Sequence, residues 1–242
     1  MIVAQISDIH ADGSDLALER LDSVLGWLRR LKPDALIVSG DLVEADFANG
    51  YREVRDRLER LACPYLVVPG NVDEHGEMRR VFGDRFGWNS DRPLNVAAHV
   101  GDLHLIGLDV TVENAHHGDA TPVLGWLADA LASSQAPALI FQHQHPFPTG
   151  IDGKDRNVCL NGDGLAATLA TTGTRVLGLT CGHVHRPLFT RFAGRQATMA
   201  PSVARANRLK LDGRDSDIVD PPGMLIHHYA EDRLVSHVVM VG

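Results

Sequence analysis

Cysteine is scarce in this chain. Its 242 residues include three, Cys63, Cys159 and Cys181, an odd number with no CxxC spacing. That excludes a disulfide framework and argues against a cysteine-based zinc site. Positive charge is also in deficit, with 23 basic against 31 acidic residues and a net charge of −8. Such a balance argues against a stable nucleic-acid partner held by bulk electrostatics. It leaves room for an anionic substrate, because bound metal ions invert the local field. No apolar run approaches the roughly 20 residues of a membrane helix. The segment Met1 to Asp8 lacks the basic start and long apolar core of a signal peptide, so the cytoplasm is the expected compartment. The sequence leaves self-association open.

What remains is globular. The apolar fraction is 44% and the charged fraction 22%. This length suits one domain spanning 1–242, with a core large enough to need no covalent staples. Histidine, at 13 residues, is abundant.

Short apolar runs at Ile2–Ile6, Ala35–Val38, Tyr65–Val68, Leu103–Leu108, Ala138–Phe141 and Arg175–Leu179 read as buried strands. Between them, Leu18, Leu21, Leu25 and Leu28 recur at helical spacing before Pro33. Tyr51, Val54, Leu58 and Leu61 repeat that spacing. Thr121-Pro122 opens a third helix, with Thr121 as N-cap, and Leu165–Leu169 reads as a shorter fourth. Strand alternating with helix implies an α/β fold. After Pro187 the texture becomes mostly β, with strands expected at Leu188–Phe192, Gln196–Met199, Met224–Tyr229 and Leu234–Val241. These predict a second sheet or the extension of one. Residues 205–222 read as a surface loop.

Five segments carry the chemistry: Asp8-Ile9-His10, Gly40-Asp41, Gly70-Asn71, His143, and Gly182-His183-Val184-His185. Each places a carboxylate, amide or imidazole just past a predicted strand, the edge where open parallel sheets bind ligands. Asp8, Asp41, Asn71, His10, His143, His183 and His185 offer oxygen and nitrogen but no sulfur. That set suits Mn, Fe, Zn or Co. Seven ligands exceed one tetrahedral ion and fit two ions sharing a bridging carboxylate. Such a pair clamps groups displaced at phosphorus and supplies a metal-bound hydroxide as nucleophile. The glycines before Asp41, Asn71 and His183 permit tight turns beside the ions.

In order and spacing these segments resemble the calcineurin-like metallophosphoesterases, whose pattern runs DxH, GD, GN(H/D), H, GHxH. Further features resemble the branch holding class III cyclic-nucleotide phosphodiesterases and glycerophosphodiesterases. These are His116-His117-Gly118-Asp119, Pro146-Phe147-Pro148-Thr149-Gly150, the Cys181–Pro187 stretch, Ala200-Pro201-Ser202 and Pro221-Pro222-Gly223. The resemblance implies a four-layer α-β-β-α sandwich of two packed mixed sheets, with residues 187–242 completing the second. It implies Asp8, His10 and His185 on one ion, Asn71, His143 and His183 on the other, and Asp41 bridging.

Two departures matter. The family's His-His-Pro-Pro is His143-Gln144-His145-Pro146 here. Alignment on Pro146-Phe147 puts the ligand at His143, not at His145. The family's histidine after the Asn, which commonly contacts the phosphate, is Val72. His75, His117 and His145 are the substrate-binding candidates for that role. The activity implied is metal-dependent hydrolysis of a small phosphodiester, a 3′,5′-cyclic nucleotide or a glycerophosphodiester. Alternatives are a phosphomonoesterase or nuclease on the same ions, a non-catalytic binding module, and an amidohydrolase, whose HxH pair typically comes first in the chain.

Overall fold

A computed structural model of the chain describes residues 1–88, 93–151 and 153–242. The first half alternates strand with helix: β1 (Ile2–Ile6), α1 (Asp15–Leu31), β2 (Ala35–Ser39), α2 (Phe47–Leu58), β3 (Tyr65–Val68) and α3 (His75–Phe86). Then come β4 (Val96–Val100), β5 (Leu103–Leu108), a two-residue β6 (Gly118–Asp119), α4 (Leu124–Ala132) and β7 (Ala138–Gln142). A two-residue β8 (Cys159–Leu160), α5 (Gly162–Thr171) and β9 (Val176–Cys181) follow. The last quarter holds β10 (Leu188–Phe192), β11 (Arg195–Met199), the short pair β12 (Lys210–Leu211) and β13 (Arg214–Asp215), β14 (Gly223–Ala230) and β15 (Arg233–Met240).

Two large mixed sheets result. One has the order β15-β14-β1-β2-β3, the other β10-β11-β9-β7-β5-β4. In the first, β1, β2 and β3 are parallel and β14 joins β1 antiparallel. In the second, β5, β7, β9 and β11 are parallel. The strands after Pro187 do not complete only one sheet: β10 and β11 extend the second, while β14 and β15 extend the first. Strands added at the edge of either sheet carry similar apolar patterns, so the pattern alone assigns neither.

The layering follows from strand periodicity. On β5, Leu103 and Leu105 join the core cluster of β1–β3, whereas Ile106 and Leu108 join a second cluster. On β7, Leu139 and Phe141 face the first cluster and Ala138 and Ile140 the second. The first cluster also takes Leu21, Leu25 and Leu28 of α1, Val54 of α2 and Phe82 of α3. The second takes Leu127 of α4 and Leu165 of α5. Helices therefore cover both outer faces, and the sheets pack on each other. Burial on two faces is why these strands read as unbroken apolar runs. Each fully buried leucine contributes about 1.5–3 kcal/mol.

A buried polar chain ties the sheets together. Gln5 donates to Ser39 Oγ (2.8 Å) and to the Cys181 carbonyl (3.2 Å). Its Oε1 accepts from Thr180 and lies 3.0 Å from His227 Nε2. Thr198 donates to Thr180 at 2.7 Å. These bonds fix the ends of β1, β2 and β9 relative to one another.

Three local readings change. Thr121 is not an N-cap: it starts a 3-10 turn whose cap is Ala120, and its N–H donates to Asp119 at 2.8 Å. Leu61 lies beyond α2 but is still buried in the core. Helix α3 and edge strand β4 lie where no element was expected. Among the described residues, no helix is long and apolar enough to cross a membrane.

Candidate metal centre

The carboxyl ends of β1, β2, β3, β7 and β9 bring the five segments to one place. Ligating atoms of Asp8, His10, Asp41 and His185 lie within 4.8 Å of one another. So do those of Asp41, His143 and His183, which makes Asp41 common to both groups. Asp8, Asp41, His143 and His183 are buried.

The turns that present them are strained. Asp8 (φ 54°), His10 (48°), Asp41 (53°), His183 (75°) and His185 (59°) all adopt left-handed backbone conformations. Each costs on the order of 1–3 kcal/mol and persists only where surroundings over-determine it. Gly40 (φ +93°) turns the chain so that His143 packs where a Cβ would stand. A Cβ on Gly182 would overlap Ser7 Oγ and press on the Asp8 carboxylate. His183 N–H donates to both Asp8 oxygens, at 3.1 and 3.0 Å.

Imidazole orientation is set from behind. His143 Nδ1 lies 2.8 Å from the Ser39 carbonyl and His185 Nδ1 lies 3.1 Å from that of Arg205. A carbonyl can only accept, so each Nδ1 carries a proton and, in the neutral ring that ligates a metal, each Nε2 is left as a lone pair. Those Nε2 atoms point inward: His143 Nε2 is 3.2 Å from Asp41, and His185 Nε2 is 3.1 Å from Asp8. His10 Nε2 lies 3.4 Å from Asp41 and 3.0 Å from His185 Nε2. Both ring nitrogens of His183 and Asn71 Oδ1 are buried without a hydrogen-bond partner among the described residues. Orphaned buried donors and acceptors of this kind are rare in native proteins. The donor set and its unsatisfied atoms therefore fit bound metal ions.

The charges are strongly linked. Burial pushes Asp8 and Asp41 upward, but the neighbouring imidazoles win, His185 at Asp8 and His143 at Asp41, and both carboxyls fall below their ordinary range. Burial lowers His143, yet Asp41 outweighs it and raises this imidazole to about 9. Burial, then the charges of His143 and Lys154, hold His183 well below its ordinary value. Behind Asp41, Asp73 is raised to about 6 by burial and then by repulsion from Asp41. It accepts from the N–H groups of Gly70 (2.8 Å) and Leu42 (3.0 Å) and from the Tyr51 hydroxyl (2.9 Å). Asp73 thus ties the Asp41 and Asn71 turns together.

The chain matches the family model of the calcineurin-like phosphoesterases over residues 1–187. It belongs to that family. Calcineurin-like phosphoesterases use a dinuclear metal centre, and this chain is a metallophosphoesterase. It is 28% identical over 258 residues to a probable glycerophosphodiester phosphodiesterase of Arcobacter nitrofigilis, covering 100% of this chain and 94% of that protein. It is 29% identical over 261 residues to a cAMP/cGMP dual specificity phosphodiesterase of Mycobacterium tuberculosis, covering 100% of this chain and 80% of that one. A dimetal phosphatase from Danio rerio has the same fold, with a TM-score of 0.73 at 14% identity over 100% of this metallophosphoesterase and 99% of that chain.

The remaining histidine candidates fall in different surroundings. His75 starts α3, with Nε2 2.9 Å from buried Asp109 and 3.0 Å from Thr111 Oγ1. Its hydrogen bond to Asp109 raises its pKa. It lines a cavity of about 650 Å3 shared with Asn71, Val72, Asp109 and Thr111. His145 is fully buried, its ring centroid 5.8 Å from that of His183, and burial lowers its pKa to about 4. His117 is partly buried. Its neighbour His116, in the same sequence feature but not among the substrate-binding candidates, reaches Asn71, Nδ1 to Nδ2 3.4 Å. Val72 offers its backbone instead of a side chain, donating N–H to Asp41 Oδ1 at 3.0 Å. Lys154, also not anticipated, donates to the His183 carbonyl at 3.1 Å. Asp155 beside it holds its own loop, accepting from Thr149 and Gly150, and Arg186 is paired with Asp220 at 2.8 Å.

Proposed function

We propose that this metallophosphoesterase hydrolyses a small phosphodiester, of the 3′,5′-cyclic nucleotide or glycerophosphodiester class. One observation carries the reading: two ligand groups share Asp41, and a cavity of about 650 Å3 opens beside Asn71. That volume lies within the range of small-molecule sites. It gives the organic part of a diester a place next to the phosphate position. The names of the two curated relatives support the same substrate classes.

In this reading Asp8, His10 and His185 hold one ion, Asn71, His143 and His183 the other, and Asp41 both. When bound, such a pair (Mn, Fe, Zn or Co) supplies Lewis acidity toward phosphate oxygens and lowers the pKa of water. The chain's own contribution is orientation. The Ser39 and Arg205 carbonyls fix the His143 and His185 tautomers, and Asp73 fixes the turns carrying Asp41 and Asn71. His75 is the substrate-contacting histidine, since its ring lines the cavity and Asp109 favours its protonated form. His145 is support for His183, because it is fully buried. The three unpaired cysteines suit a reducing compartment, so we place the reaction in the cytoplasm.

The test is a comparison of chromogenic diester and monoester turnover by the Mn²⁺-supplied protein, with and without chelator, followed by cyclic nucleotides and glycerophosphodiesters. The expected result is chelator-sensitive turnover favouring the diester by about tenfold or more, a difference of about 1.4 kcal/mol in barrier. A preference for the monoester would reassign the activity, and turnover unaffected by chelator would refute the metal reading.

A further inference from the structure

One lysine lies beside the ligand group of Asp41, His143 and His183. Lys154 lies on the loop between β7 and β8, in a chain that holds 23 basic residues in all. Lysine is among the residues least often removed from water, yet Lys154 is only partly exposed. Its ammonium carries three donors. Among the described residues one acceptor is met, the His183 carbonyl at 3.1 Å. His183 contributes to the ligand group of Asp41 and His143. Burial lowers the Lys154 pKa, the charges of Asp8 and Asp41 oppose that shift, and the positive charge of Lys154 acts in turn on His145, His183 and His185. The ammonium therefore stands within electrostatic reach of both ligand groups. Arg186, a second cation next to His185, is committed to Asp220 and to the Asn207 carbonyl.

We infer that Lys154 is a phosphate-binding residue of this enzyme, reaching the phosphate position from the β7–β8 loop alongside His75. The inference rests on the dinuclear reading above. Two divalent cations would commit Asp8 and Asp41, leaving the ammonium beside like charge and with spare donors. An anion between the ions and the ammonium relieves that repulsion. A phosphate oxygen is such an anion, and a flexible four-carbon stem lets the ammonium turn from the carbonyl toward it.

The experiment is calorimetric titration of inorganic phosphate into the Mn²⁺-loaded wild type, Lys154→Met and Lys154→Arg, with metal content measured on the same samples. Lys154→Met should keep its metal and bind phosphate about tenfold or more weakly, the loss expected for a charge-assisted hydrogen bond. Lys154→Arg, which keeps the charge, should fall between the two. Equal phosphate affinity in Lys154→Met and wild type overturns the inference. So does a Lys154→Met protein that loses metal and phosphate binding in proportion, because Lys154 would then only prop up His183. A wild type that is metal-loaded, binds no phosphate and turns over no diester fails at the proposed function itself, and this inference fails with it.

Discussion

Single residues decide which imidazoles can ligate. His143 and His145 are two positions apart and both fully buried. Only His143 belongs to a ligand group, and only His143 has its Nδ1 fixed by a carbonyl so that Nε2 faces Asp41. His143→Ala should therefore remove one ion and at least about 10³-fold of turnover, as for essential groups acting as a unit. His145→Ala should keep both ions and lose far less. Metal analysis and turnover of the two variants check this, and equal losses would mean the ligand lies elsewhere. That Asp8, His10, Asp41, His143, His183 and His185 come together was legible because five segments in order each put a polar residue past an apolar run. The contacts of Lys154 and His116 were not legible. They reach His183 and Asn71 between loops distant in sequence, and although His116 stands in a branch feature, nothing in its spacing pairs it with Asn71.

At the scale of elements, apolar runs revealed the strands buried on both faces and missed those that are not. Strand β4 pairs only with β5 at the sheet edge and alternates buried with exposed residues. Helix α3 buries Met78, Val81 and Phe82 among charged neighbours, and its N-cap is Glu74, an unusual capping residue. The pairing of β14 with β1 has an energetic consequence. It buries His227 against Gln5 and Ser236, and burial lowers this imidazole to about 4. An unfolded histidine titrates near 6.5. As pH falls below that value the unfolded chain takes up the proton first, so His227 favours folding fully above pH 6.5 and progressively less toward pH 4. Its full loss is on the order of 3 kcal/mol. Denaturant unfolding of wild type and His227→Gln at pH 7 and pH 5 reads it. Wild type should lose about 2 kcal/mol more than the variant over that step. Parallel losses would show that His227 is not held neutral.

Across the whole molecule, the last quarter of the chain supports a site whose family pattern ends at residue 187. Val203 and Ala204 N–H groups donate to the carbonyls of Ser7 and Asp8, and Arg205 orients His185. The support from Arg205 was not legible, since residues 205–222 read as an ordinary surface loop. The α-β-β-α layering came from the resemblance, while strand periodicity alone left the second sheet undivided. The −8 charge no longer opposes an anionic substrate, because carboxylates such as Asp8 and Asp41 lie in the groups that would hold cations. The central claim is that Asp41 joins two ion sites into one working centre. Its most direct test is stepwise Mn²⁺ reconstitution of metal-stripped wild type and Asp41→Ala, following diester turnover against ions bound per chain. Wild-type turnover should rise until two ions are bound, and Asp41→Ala should stay at least about 10³-fold below it. Full activity at one ion, or near-normal turnover in Asp41→Ala with its metal retained, would contradict the claim.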